Sequence, residues 1–110
     1  MALEPYNITN LVMDRSDQRG FHVASERHLR VEFRNLLRAE SLEMFVYSGD
    51  VMLTCYRGAF AVSVDGCAVK LTEMDQVVVP EGTPMSISCE RDGSLQVVWS
   101  PAFAPTRRGG

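Results

Sequence analysis

The run Leu29-Arg30-Val31-Glu32-Phe33-Arg34 alternates apolar and charged residues without a break, and a strict period of two fits a half-buried strand and little else. It puts Leu29, Val31 and Phe33 on one face and Arg30, Glu32 and Arg34 on the other. The same period recurs at Leu42–Tyr47, Val51–Tyr56, Ala59–Val64, Cys67–Leu71, Gln76–Val79, Pro84–Cys89 and Ser94–Trp99, each short and rich in β-branched or aromatic residues. Breakers separate them at Ser48-Gly49-Asp50, Gly58, Asp65-Gly66, Met74-Asp75, Pro80-Glu81-Gly82 and Arg91-Asp92-Gly93. Asp65-Gly66 is the sharpest of these, because a two-residue hairpin turn of the mirror-image type requires positive φ at both positions. No window of twelve or more residues carries a clean helical stripe. An all-β sandwich or barrel follows, built on 110 residues, enough for one domain.

Composition narrows the function classes. Fourteen acidic against eleven basic side chains leave a net charge of −3, so the overall balance recruits neither nucleic acid phosphates nor anionic lipid. Charge is nevertheless divided along the chain: +3 from Arg15 to Arg38 and −6 from Ala39 to Asp92. Arg27, Arg30, Arg34 and Arg38 read as a solvated face or an inter-subunit contact. The three cysteines, Cys55, Cys67 and Cys89, are odd in number and unpaired in spacing, which predicts buried structural thiols rather than a disulfide framework. Neither a secretory leader nor a membrane span is read in the sequence, and a cytoplasmic location is expected.

From Leu71 to Met85 the sequence LTEMDQVVVPEGTPM resembles the second motif of the cupin superfamily, with Asp75, Pro80 and Gly82 as its anchors. The preceding segment around Gly58 resembles the end of the first cupin motif, and Leu95–Pro101 is similar to the last strand of many small cupins. The likeness covers roughly Glu40 to Pro101. It implies a small jelly-roll, a double-stranded β-barrel with a central pocket. Residues 15–101 are then the barrel domain, residues 1–14 an N-terminal arm or edge strand, and residues 102–110 a flexible tail.

The resemblance also implies where a metal would sit. Its two histidines fall at Met44 and Val46, or at Phe45 and Tyr47; its glutamate falls at Val51, its third histidine at Met85 and its asparagine at Cys89. None of these is an imidazole or a carboxylate, and thioether and hydrocarbon hold divalent first-row ions poorly. No metal and no other cofactor is therefore expected. His22 and His28 lie upstream of both motifs.

Alternation gives the barrel an apolar interior, either packed shut or enclosing an apolar cavity. Met44, Val46, Val51, Leu53, Met85, Ile87 and Trp99 are the candidate ligand-binding residues. The first expectation is a noncatalytic protein that binds a small, largely apolar molecule in the barrel, or acts as a sensing or assembly module. The alternative is a metal-independent isomerase, epimerase or cyclase, for which Tyr47, Tyr56 and Asp50 are the candidate catalytic residues, with Glu43 and His28 near them. A third is a structural dimerisation domain. A homodimer is expected from small size and exposed strand edges, with no nucleic acid and no membrane partner.

Overall fold

The computed structural model describes residues 7–25, 29–100 and 106–107. Helix α1 (Ile8–Asp14) is followed by β1 (Gly20–Ser25), β2 (Arg30–Leu36), β3 (Ser41–Val46), β4 (Asp50–Val64), β5 (Cys67–Leu71), β6 (Gln76–Val79), β7 (Met85–Ser100) and β8 (Thr106–Arg107). All strand pairings are antiparallel. The first half of β4 pairs with β6 and with the second half of β7; its second half pairs with β5 and with the first half of β7. On β7, β2 pairs along the second half and β3 along the first. Two five-stranded sheets, β1-β2-β7-β4-β6 and β8-β3-β7-β4-β5, thus share the two long strands and enclose a core between them, the jelly-roll arrangement expected.

Two expectations about boundaries change. Gly58 and Arg91-Asp92-Gly93 do not end strands; β4 and β7 run through them, with register shifts between Cys55 and Phe60. There the two backbones nearly touch. A Cβ on Gly93 would lie 2.0 Å from the Arg57 carbonyl oxygen, and one on Gly58, whose φ is +87°, would lie 2.5 Å from that of Asp92. Glycine at both positions lets the strands bend together from one sheet into the other. Asp65 (φ +50°) and Gly66 (φ +84°) form the expected mirror-image turn between β4 and β5.

The other difference is at the N-terminus, where α1 occupies part of the segment 1–14 expected as an arm or edge strand, and β1 falls within the expected barrel domain. Asn7 caps α1, its side-chain oxygen accepting from the Asn10 amide at 3.0 Å. Val12 of α1 packs with Phe21 of β1 and Phe33 of β2 as a small second core outside the barrel. β8 lies within the segment expected as a tail and pairs with Phe45 and Val46. No helix among the described residues is long and apolar enough to cross a membrane.

Candidate functional site

Antiparallel residues directly opposite one another share a face, so register fixes what points inward. Val51, Leu53 and Cys55 of β4 oppose Trp99, Val97 and Leu95 of β7, and all six belong to the main core. The same β7 residues oppose Arg30, Glu32 and Arg34 of β2. The charged face of β2 therefore looks into the barrel, opposite to the expectation of a solvated stripe. The physical reason is the second core: Phe33, fully buried, stacks on Phe21 with ring centroids 5.3 Å apart and is covered by α1. That takes the apolar face of β2 to the outside of the barrel, and Arg30, Glu32, Arg34 and Leu36 are left facing in.

Glu32 is only 2% exposed. A carboxylate so placed is costly unless every oxygen finds a charged or hydrogen-bonding partner, and here both do. The Trp99 indole Nε1–H donates to Oε1 at 3.1 Å, Arg30 Nη2 donates to Oε2 at 3.1 Å, and Arg34 Nε donates to Oε1 at 3.4 Å. Trp99 in turn lies against Tyr47, ring centroids 4.7 Å apart. The arginine side chains reach partway to solvent, 20% exposed for Arg30 and 39% for Arg34. Beside them is an open cleft of about 290 Å³, lined by Gly20, Phe21, Glu32 and Arg34. Gly20 is the register partner of Arg34, and its missing side chain leaves room for the guanidinium, since a Cβ there would stand 3.2 Å from Arg34 Cδ.

The candidate ligand-binding residues Val51, Leu53, Met85, Ile87 and Trp99 are each buried to 3% exposure or less, so they form a closed apolar wall with almost no surface open to a water molecule. Val46 is half-buried, and the side chain of Met44 lies outside the described residues. The three candidate catalytic residues are not brought together. Tyr47 is buried against Trp99. Tyr56 is on the outer face, where its hydroxyl bonds to the Thr9 hydroxyl of α1. Asp50 is exposed and accepts from the Glu81 amide at 3.1 Å.

The positions where the family would hold a metal do not fit one. Val51 and Met85 supply hydrocarbon and thioether, and Tyr47 and Cys89 supply a phenol and a thiol, all buried. Burial pushes the Cys89 thiol up from its ordinary value, away from the thiolate a metal requires. Among the described residues no three His, Cys, Asp or Glu side chains are grouped as a cation site. His28 lies outside the described residues; His22 is the register partner of Glu32. Cys55, also raised by burial, directs its thiol at the Gly58 and Arg57 carbonyls at 3.4 and 3.5 Å. Cys67, expected to be buried, is exposed.

A double sheet joined by two long shared strands, with side chains from both sheets closing on one interior, defines the cupin fold. Solved structures, a cupin superfamily protein among them, are similar to this chain over most of its length. A conserved protein from Streptococcus pyogenes superposes with a TM-score of 0.77 at 18% identity, covering 93% of each chain. KdgF from Halomonas sp. does so at 0.71 and 22% identity, covering 76% of this chain and 78% of its own. A cupin superfamily protein from Desulfitobacterium hafniense gives 0.72 at 16% identity, covering 74% and 75%. No protein-family model matches the sequence, and no curated protein matches it.

Proposed function

We propose that this chain is a noncatalytic, metal-independent cupin-fold protein that binds a small, largely apolar molecule bearing a polar group, at the inner face of β2. One observation carries the reading: a buried carboxylate, bonded to an indole and flanked by two arginines, borders a cleft in an otherwise apolar interior. Sites for small molecules combine an apolar lining with a few convergent polar groups, and the closed wall of Val51, Leu53, Met85 and Ile87 leaves the end of the barrel at β1 and β2 as the place of entry. A proton-transfer enzyme needs an acid and a base within reach of one substrate atom. Tyr47, Tyr56 and Asp50 lie in three separate environments, which favours binding over turnover.

The proposal extends to a pair of chains. Val31, Val98, Met52 and Val78 are register neighbours across β2, β7, β4 and β6 on the face away from the core, and Val78 is 59% exposed. Val31 is already buried within the chain, but half-buried Met52 and Val98 beside exposed Val78 leave an apolar strip that supports burial against a second copy. Native mass spectrometry of protein purified without denaturation tests the binding reading. A small molecule retained in one-to-one ratio and lost on acidification is expected. Bare chains that also take up no offered small molecule would overturn it.

A further inference from the structure

The outermost strands of each sheet carry backbone groups that no neighbour uses, and such edges pair with other chains unless something blocks them. Among the described residues, three of the four edges are blocked. β1 is interrupted by a bulge between His22 and Ala24, β8 is two residues long, and β5 carries Lys70, ion-paired to Glu90 at 3.4 Å. Bulges, shortness and lysine each discourage an added strand. β6 is different: Gln76-Val77-Val78-Val79 pairs only with β4, in unbroken register, and contains no charge, proline or bulge. The Gln76 side chain folds back on its own sheet, its amide donating to the Thr54 hydroxyl at 2.8 Å, so it leaves the edge clear. With one open edge per chain, two copies joined there by a two-fold axis leave none over, and assembly stops at a pair instead of running on as a fibre.

Backbone direction sets the register. The Cys55 amide donates to the Asp75 carbonyl at 2.9 Å, and bonded and non-bonded pairs alternate along an antiparallel ladder. Leu53 with Val77 and Val51 with Val79 are then the bonded pairs, while Gln76 and Val78, opposite Thr54 and Met52, turn their N–H and C=O groups outward from the edge. A two-fold axis perpendicular to the sheet keeps inner and outer faces aligned and admits few registers. With Val77 opposite itself, Gln76 lies opposite the partner's Val78, and the outward groups of both residues exchange bonds on each side of the axis. With Val78 opposite itself, Gln76 meets the partner's Pro80, which has no N–H, and Asp75 meets the partner's Glu81, a like-charge pair. With Gln76 opposite itself, Val78 meets the partner's Met74, whose amide is already bonded to the Cys55 carbonyl. Resting on the pair of chains proposed above, we propose that the second copy adds at the β6 edge, antiparallel and with Val77 on the two-fold axis, joining the two β1-β2-β7-β4-β6 sheets into one. Half-buried Val77, packed on the core, then faces its own copy, and the strip of Val98, Met52 and Val78 runs up to the axis.

Light scattering and amide hydrogen exchange on the intact chain test this together. Twice the mass of one chain is expected, with the Gln76 and Val78 amides exchanging at least about tenfold more slowly in concentrated protein than after dilution to single chains. Val78→Pro deletes an outward N–H that β4 does not use and is expected to give single chains that remain folded by circular dichroism. Met52→Gln, on the same face but one strand in from the edge, is expected to keep the pair. A paired mass with freely exchanging Gln76 and Val78 amides, or a folded Val78→Pro protein that stays paired, would overturn the edge contact and leave the pair of chains standing. A single-chain mass at every concentration would remove both. A mass that climbs with concentration beyond two chains would reveal a second open edge, and protection of the two amides in a single chain carrying a copurified peptide would give the edge to another partner; each overturns the proposal. The exchange measurement on the unsubstituted protein decides the matter even if Val78→Pro does not fold.

Discussion

Glu32 is the residue on which most of the interior depends. Glu32→Gln keeps an oxygen for the Trp99 indole but removes the carboxylate charge to which Arg30 and Arg34 both donate, and a loss of about 1–3 kcal/mol in urea unfolding is expected; an unchanged midpoint would show that the cluster contributes nothing to folding. Tyr56→Phe removes only the bond to Thr9, at the outer face, and is expected to cost about 1 kcal/mol with no effect on ligand uptake. The thiols provide an independent check on which face is inward. Burial raises both Cys55 and Cys89, so the folded chain holds these protons more tightly than the unfolded one. Their contribution is complete below about pH 8.5, the ordinary thiol value, and is lost as pH rises through the raised folded values. With a thiol reagent at neutral pH, Cys67 alone is expected to react in the native protein and all three cysteines after denaturation; rapid labelling of Cys55 or Cys89 would contradict the packing.

At the scale of elements, the bend shared by β4 and β7 is the most demanding feature. Gly93→Ala would drive a methyl group into the Arg57 carbonyl, and a loss of about 3 kcal/mol or more is expected, by the same unfolding measurement. In the β5–β6 turn the Asp75 carboxylate accepts from the Thr72 amide and hydroxyl at 2.9 and 3.0 Å, which holds it below its ordinary value. That contribution is present above about pH 4 and lost as pH falls through the lowered value, so Asp75→Asn is expected to flatten the acid limb of a stability profile. The strands themselves were legible in the residues. Cys67–Leu71 and Gln76–Val79 have the boundaries their alternation predicts, because turn residues close both ends. β4 and β7 each read as two strands, since glycine at a bend looks the same in sequence as glycine at a turn. In β2 the alternation revealed two faces without saying which is inward; a seven-residue helix, too short for a clear helical stripe, decided that by covering Phe33. The candidate site was hidden for the same reason: an Arg-x-Glu-x-Arg spacing on a strand reads as surface until another element claims the apolar side.

For the whole molecule, a barrel closed by side chains at 3% exposure or less predicts the cost of a hole. Leu53→Ala, at a position with no exposure, is expected to lose about 2–5 kcal/mol; a much smaller loss would mean an interior with space to spare. Light scattering is expected to return twice the mass of one chain, and Val78→Lys, which places a charge in the apolar row, to return the mass of one; a single-chain mass for the unsubstituted protein would exclude the pair. The central claim is that the charged side of β2, and not its apolar side, faces the inside of the barrel. Because the chain has one tryptophan, its single indole N–H signal reports on this directly. That signal is expected to be protected from solvent exchange and to move strongly on Glu32→Gln, while an indole proton that exchanges freely and ignores the substitution would place Glu32 on the outside and contradict the account.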